Sequence, residues 1–173
     1  KSDDDLAVAS IHWGGNWGWN IPEDHVQFAR GLVDRADIDL VHGHSSHHVK
    51  GLEVYRNRLI LYGCGDWLTD YEGIGGHEQF RPELSLMYFP RLDPRSGRLQ
   101  GLEMRPTRLK RFQLQRASAR EAEWLASMLA SQDGRFDINV QLRPEARMKL
   151  QGREVEHGQT WVARSTDNLG VDC

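Results

Sequence analysis

The 173 residues carry 22 Lys and Arg against 25 Asp and Glu, a formal charge of −3, with 39 % apolar and 27 % charged residues. That length suits one domain with its own core, and the composition is that of an ordinary globular protein. The charge gives no support to nucleic-acid binding, the basic residues being scattered apart from a short cluster at Arg105, Arg108, Lys110 and Arg111, and no apolar run approaches a membrane span.

The chain opens on charged residues, Lys1 to Asp5, and passes at once into Leu6–Ile11, which reads as a buried strand. With no initiator Met and no secretory pattern ahead of it, the expectation is a piece of something larger. His12–Asn20 is a Gly- and Trp-rich loop. A helix is predicted from Pro22 to about Ala36: Pro suits a first turn, Glu23 and Asp24 suit the positive end of the helix dipole, and Val26, Ala29, Leu32, Val33 and Ala36 share one face. Ile38–Val41 is a short apolar strand, as expected for a buried parallel neighbour. This β-α-β unit places functional loops at the C-terminal ends of its strands.

Leu52–Tyr55 and Leu59–Tyr62 flank Arg56-Asn57-Arg58 as a hairpin, with Asn57 the residue expected at positive φ. A Gly-rich loop runs from Gly63 to Gly76. Leu84–Pro90 and Leu99–Arg105 form a second hairpin around Asp93–Gly97, and Leu109–Leu114 extends it. Ser118 begins a helix with Glu121 three residues on, a capping box; Ala122, Leu125 and Leu129 are its buried stripe, widened by Trp124 and Met128, and Gly134 ends it. Beyond Leu142 the pattern weakens to short strands at Met148–Leu150 and Thr160–Val162, then a tail. Two distant cysteines, Cys64 and Cys173, form no disulfide framework, with Cys173 expected to be a free thiol.

The histidines are clustered. His12 follows the first strand directly, and His42, His44, His47 and His48 crowd the end of the next. Two adjacent strand ends bring both sets to one sheet edge. Imidazole is the commonest side-chain ligand for first-row transition metals, and Gly43 gives the backbone room to turn both rings inward. A solvated turn is the alternative. His25 and His157 read as surface residues, and His77 lies in a Gly-rich loop that reaches toward the site.

Ser10-Ile-His-Trp-Gly14 resembles the Ser-x-His-Trp-Gly motif of the bacterial capsule and poly-γ-glutamate biosynthesis (CapA-type) family. Val41-His-Gly-His-Ser-Ser-His47 resembles its Gly-His-x-x-His loop. The run from Gly51 to Trp67 resembles its hairpin and the turn that follows. These come in the family's order from Ile11 to about Tyr71, with weaker similarity through about Leu114.

The resemblance implies an α/β (α+β) fold, part of a metallophosphoesterase-like αββα two-sheet sandwich, with residues 1–115 the C-terminal half of that domain, 116–164 a helix and short strands completing it, and 165–173 a tail. It implies His12, His44 and His47 as metal ligands and catalytic residues, and two divalent ions (Mn, Fe or Zn) in the intact domain. Trp13, Asn16 and Asp66 are its substrate-side residues, the partners being the other half of the domain and an anionic polymer or phosphoester. The tryptophans Trp13, Trp17 and Trp19 form either a cleft wall or a lid packed on the helix.

The family's upstream Gly-Asp and Asn-His motifs do not occur in this chain, Asp66 stands where many members have Asn, and Asn16-Trp17 replaces a commoner acidic-aromatic pair. Asp66 and Asp70 also read as loop hydrogen-bonders. The function implied is metal-dependent phosphoester hydrolysis in capsule or polymer biosynthesis. The alternatives are a non-enzymatic export or assembly subunit with a vestigial metal site, an amide- or ester-processing enzyme on the same scaffold, or an unrelated β-α-β fold with a mononuclear His₃ site. Half a sandwich leaves sheet surface uncovered, so poor solubility, a homodimer or a domain swap is expected of the chain alone. The compartment stays open between cytoplasm and the membrane or cell surface of a bacterium.

Overall fold

A computed structural model describes residues 2, 5–69, 74–131, 135–136 and 138–151. Asp70, Gly134, His157, Thr160–Val162, Cys173 and the expected tail lie outside these residues. Among the described residues the fold is mixed α/β, with two α-helices and two sheets, one mixed and one antiparallel.

The opening β-α-β unit is present. Strand β1 (Val8–His12) leads through helix α1 (Glu23–Ala36) to β2 (Leu40–His44), and β1 and β2 pair in parallel. A hairpin of β3 (Leu52–Tyr55) and β4 (Arg58–Leu61) completes this sheet in the order β1-β2-β4-β3, with β4 parallel to β2. Two consecutive left-handed residues, Arg56 at φ 47° and Asn57 at φ 60°, make the tight turn, a backbone twist that matches two paired strands.

Central strands of such a sheet are buried on both faces, and β4 obeys. Ile60 faces α1 with Val41, Tyr62, Val26 and Ala29. Leu59 and Leu61 belong instead to the core shared with the second sheet. The second sheet runs β5 (Leu84–Leu92), β6 (Leu99–Lys110), β9 (Arg147–Gln151), β8 (Asn139–Arg143), with β7 (Gln113–Arg116) also on β6. Helix α2 (Ala119–Ser131) adds Leu125, Met128 and Leu129 to that shared core. Its capping box forms: the Ser118 N–H donates to Glu121 Oε2 at 2.8 Å and the Glu121 N–H to Ser118 Oγ at 3.3 Å.

Some sequence expectations need correction. The second strand lies further along than Ile38–Val41, because Asp39 is fully buried, accepting the Ala7 N–H at 2.8 Å and facing Arg58 at 3.3 Å. Strand β8 had no expected counterpart; its short Asn-Val-Gln-Leu-Arg run is mostly polar and, among the described residues, pairs with β9 alone. His25, expected on the surface, is half-buried and stacks on Trp13 with ring centres 5.1 Å apart.

Candidate functional site

The site grows from the parallel pairing of β1 and β2. Their register sets Ser10 beside His42 and His12 beside His44. Side chains alternate along a strand, so these four share one face of the sheet while Ile11 and Gly43 take the other. The His12 and His44 rings meet edge to face with centres 5.2 Å apart, and His42 lies 5.7 Å from His44. Ser10 Oγ and His42 Nδ1 are 3.0 Å apart in a hydrogen bond. Burial, and then the neighbouring His44, holds the His42 imidazole below its usual pKa. His12 is exposed and His44 half-buried.

Gly43 matters for a reason other than turning. It carries no positive φ among the described residues. A Cβ there would fall 2.6 Å from the Leu61 carbonyl oxygen and closer still to the Trp13 indole nitrogen. Trp13 lies on that side, donating from Nε1 to the Tyr62 carbonyl at 3.0 Å and stacking on Tyr62. The indole is thus packed among the helix-side residues.

After His44 the chain leaves the strand at Ser45, whose φ is 114° and whose hydroxyl donates to the Gly14 carbonyl at 3.1 Å. His47 therefore joins a second group. Its backbone N–H donates to the Asn16 carbonyl at 3.0 Å, and its Nδ1 sits 2.7 Å from Asp66 Oδ2. Trp17 organises this group, stacking on His77 at 4.0 Å and lying 5.4 Å from His47 and 6.0 Å from His48. Phe80 closes it against His48 and Trp19. His48 is fully buried, donates from Nδ1 to the Val49 carbonyl at 3.0 Å, and is pushed by burial down to about 4.

The sequence thus placed its six site residues on neighbouring elements, and the structure sorts them. His12 and His44 come together, with His42 and Ser10 beside them. His47 and Asp66 pair with each other, next to Asn16 and Trp17. Trp13 packs toward α1. Among the described residues no three His, Cys, Asp or Glu side chains gather where they could hold a metal ion. The donor chemistry of His12 and His44 fits one edge of a metal centre, since neither ring is engaged in a hydrogen bond among the described residues; it does not make a complete one. Ser10 was quoted in the Ser-x-His-Trp-Gly motif without a role, Trp17 and His48 were named without their contact, and Phe80, which closes against His48, was missed.

Residues 1–71, which contain β1, α1, β2 and both histidine groups, match the family described as bacterial capsule synthesis protein PGA_cap. Over these residues the chain carries that family's pattern. It is 52 % identical to a probable polyglutamine synthesis accessory protein of Mycobacterium tuberculosis over 145 residues, covering 84 % of this chain and 38 % of the relative. It is 35 % identical to the PGA biosynthesis protein CapA of Bacillus subtilis over 71 residues, 40 % of this chain and 18 % of that protein. The capsule biosynthesis protein CapA of Bacillus anthracis is 30 % identical over 70 residues, 40 % of this chain and 17 % of its own length. The chain therefore spans 38 % of the length of its mycobacterial relative. No helix among the described residues is long and apolar enough to cross a membrane.

Proposed function

We propose that the chain is part of an accessory protein of capsule or poly-glutamate synthesis, and that His12 and His44 form one edge of a metal-dependent phosphoester-hydrolysing centre completed by residues outside this chain. The observation that carries this is the in-register pairing of the two imidazoles on one face of β1 and β2, at the C-terminal ends of parallel strands. The names of the relatives support the biosynthetic context.

The same reading treats the two packed sheets as part of an αββα sandwich. Strand β1 is the edge of its sheet, and exposed Val8 and Leu6 lie along it. A further strand from the remainder of the protein pairs there.

His12 and His44 would hold a divalent ion at this edge, which would supply positive charge for polarising a phosphoryl oxygen. The chain's own residues do the rest. Ser10 fixes the ring of His42 beside the pair. Asp66 engages His47 at Nδ1 at 2.7 Å and so fixes the orientation of its ring. Asn16 holds the His47 backbone, so the imidazole is positioned from two sides.

The test is hydrolysis of bis(p-nitrophenyl) phosphate by the intact protein with Mn, Fe or Zn added. Turnover should need metal, vanish in His44→Ala and fall about 10–100-fold in Asp66→Ala, the size expected for a group that orients an active-site imidazole. Metal-dependent turnover untouched by His44→Ala would sink the assignment. A second reading, a non-enzymatic assembly or export subunit with a remnant site, is favoured by the shortfall of ligands among the described residues. Metal uptake without turnover on any ester or amide substrate would support it.

A further inference from the structure

The second sheet has an inner face packed on the core; on its outer face Ser85, Gly101 and Thr107 are buried, while Phe89, Arg91, Glu103, Arg143 and Lys149 are exposed. Its inner face carries Leu84, Leu86, Leu102, Met104, Met148 and Leu150. The alternation that buries these residues puts their neighbours outside. The register aligns Met87 with Arg105, Arg91 with Gly101, Glu103 with Lys149, and Arg143 with Arg147.

That outer face therefore carries six cations, Arg91, Arg105, Arg116, Arg143, Arg147 and Lys149, against one acid, Glu103. This is in a chain whose overall charge is −3. Along the sequence these residues look scattered, because a two-residue period and a jump of forty residues separate them. On the sheet they form one field, with lateral spacing of about 5 Å between strands and about 7 Å between like-facing residues on a strand.

The field is uncompensated. Arg143 and Arg147 stand directly opposite each other, a cross-strand pairing of like charges that costs stability. Among the described residues none of the six meets a carboxylate in an ion pair. Arg91 and Arg147 donate only to backbone carbonyls, of Gln100 and Pro144. Arginines so arranged match carboxylates, whose two oxygens accept a guanidinium fork. A chain of carboxylates at short, regular intervals meets several of them at once, and this gives avidity from individually weak contacts.

We propose that the outer face of the second sheet is a docking surface for a polyanionic glutamyl polymer. The proposal rests on the capsule or poly-glutamate reading above and names the polymer's place on the molecule. The surface is distinct from the histidine face, which lies on the first sheet.

The test measures binding of fluorescein-labelled poly-glutamate to the intact protein by fluorescence anisotropy. Binding should be saturable, absent for poly-glutamine, and weakened as salt rises from about 0.1 M to about 1 M, which shortens the Debye length from about 10 Å to about 3 Å. The double variant Arg105→Glu, Arg143→Glu should bind at least tenfold more weakly. Arg35→Glu, Arg120→Glu, the same charge change at exposed positions on α1 and α2, should lose less than threefold. Arg105→Gln, Arg143→Gln, which removes charge without reversing it, should fall between them, and all three variants should keep the wild-type melting temperature to within a few degrees.

Equal losses in the face and control variants would overturn the proposal, since net charge alone would then explain binding. So would equal affinity for a DNA duplex, a dimer that dissociates in the face variant without any polymer binding, or no binding at low salt. Absence of polymer binding with metal-dependent hydrolysis intact would refute this inference alone. Binding without hydrolysis would leave it standing and count only against the metal centre.

Discussion

Replacing Gly43 by Ala tests how tightly the histidine strands are held. The added methyl meets the Leu61 carbonyl at 2.6 Å and the Trp13 indole nitrogen closer still. The carbonyl is backbone in a buried strand and cannot swing aside, so either β2 shifts away from β4 or Trp13 leaves its seat. Overpacking of this kind costs about 1–3 kcal/mol, and losing the Trp13–Tyr62 hydrogen bond about another 1 kcal/mol. The lower chain entropy of Ala offsets about 0.5–1 kcal/mol. The net expectation is a loss of about 2–3 kcal/mol, a large share of a typical domain's stability.

Urea unfolding followed by tryptophan fluorescence reads this directly. The midpoint should fall by about 1 M with the slope unchanged. Gly15→Ala is the control, because its Cβ would meet nothing nearer than the Trp17 carbonyl at 3.8 Å; it should stay within about 0.5 kcal/mol. A Gly43→Ala midpoint equal to wild type would refute the packing argument, and with it the claim that β2 and Trp13 are fixed against each other.

Other consequences are equally open to measurement. Glu53 receives Arg30 at 2.7 Å and 2.9 Å and the Tyr62 hydroxyl at 2.7 Å, so Glu53→Ala strands a buried phenol and a half-buried cation and should cost about 2–4 kcal/mol in thermal unfolding. His48 is held by burial near 4 against an unfolded value of 6.5, so the unfolded chain binds the extra proton. Its stabilisation is complete above about pH 6.5 and is lost as pH falls toward 4, about 3 kcal/mol in all; His48→Gln should flatten that limb of the stability profile. Glu121→Ala removes the capping box of α2 and the partner of Arg108 at 2.7 Å. A loss of about 1–2 kcal/mol by urea unfolding is expected.

Much of the first sheet could be read in advance because its signals are local. Helix α1 announces itself by Pro22, two acids and a 3.6-residue stripe, and the β3–β4 turn by Arg56-Asn57. What escaped was long-range. Asp39 is buried because Ala7 and Arg58 satisfy it, which shifts the start of β2. His47 follows His44 by three residues, yet the left-handed Ser45 turns it toward Asn16 and Asp66. Gly43 was credited with flexibility, and what it supplies is room for Trp13. The basic face could not be seen at all from spacing, because it depends on pairing β6 with a strand more than forty residues later.

The most direct test of the central claim is the metal content of the intact protein, compared with His12→Ala, His44→Ala and with Asp66→Ala. The account predicts bound divalent metal in the wild type, its loss in the double histidine variant and its retention, more weakly held, in Asp66→Ala. Metal held equally by wild type and the double histidine variant would contradict the assignment of His12 and His44 as ligands.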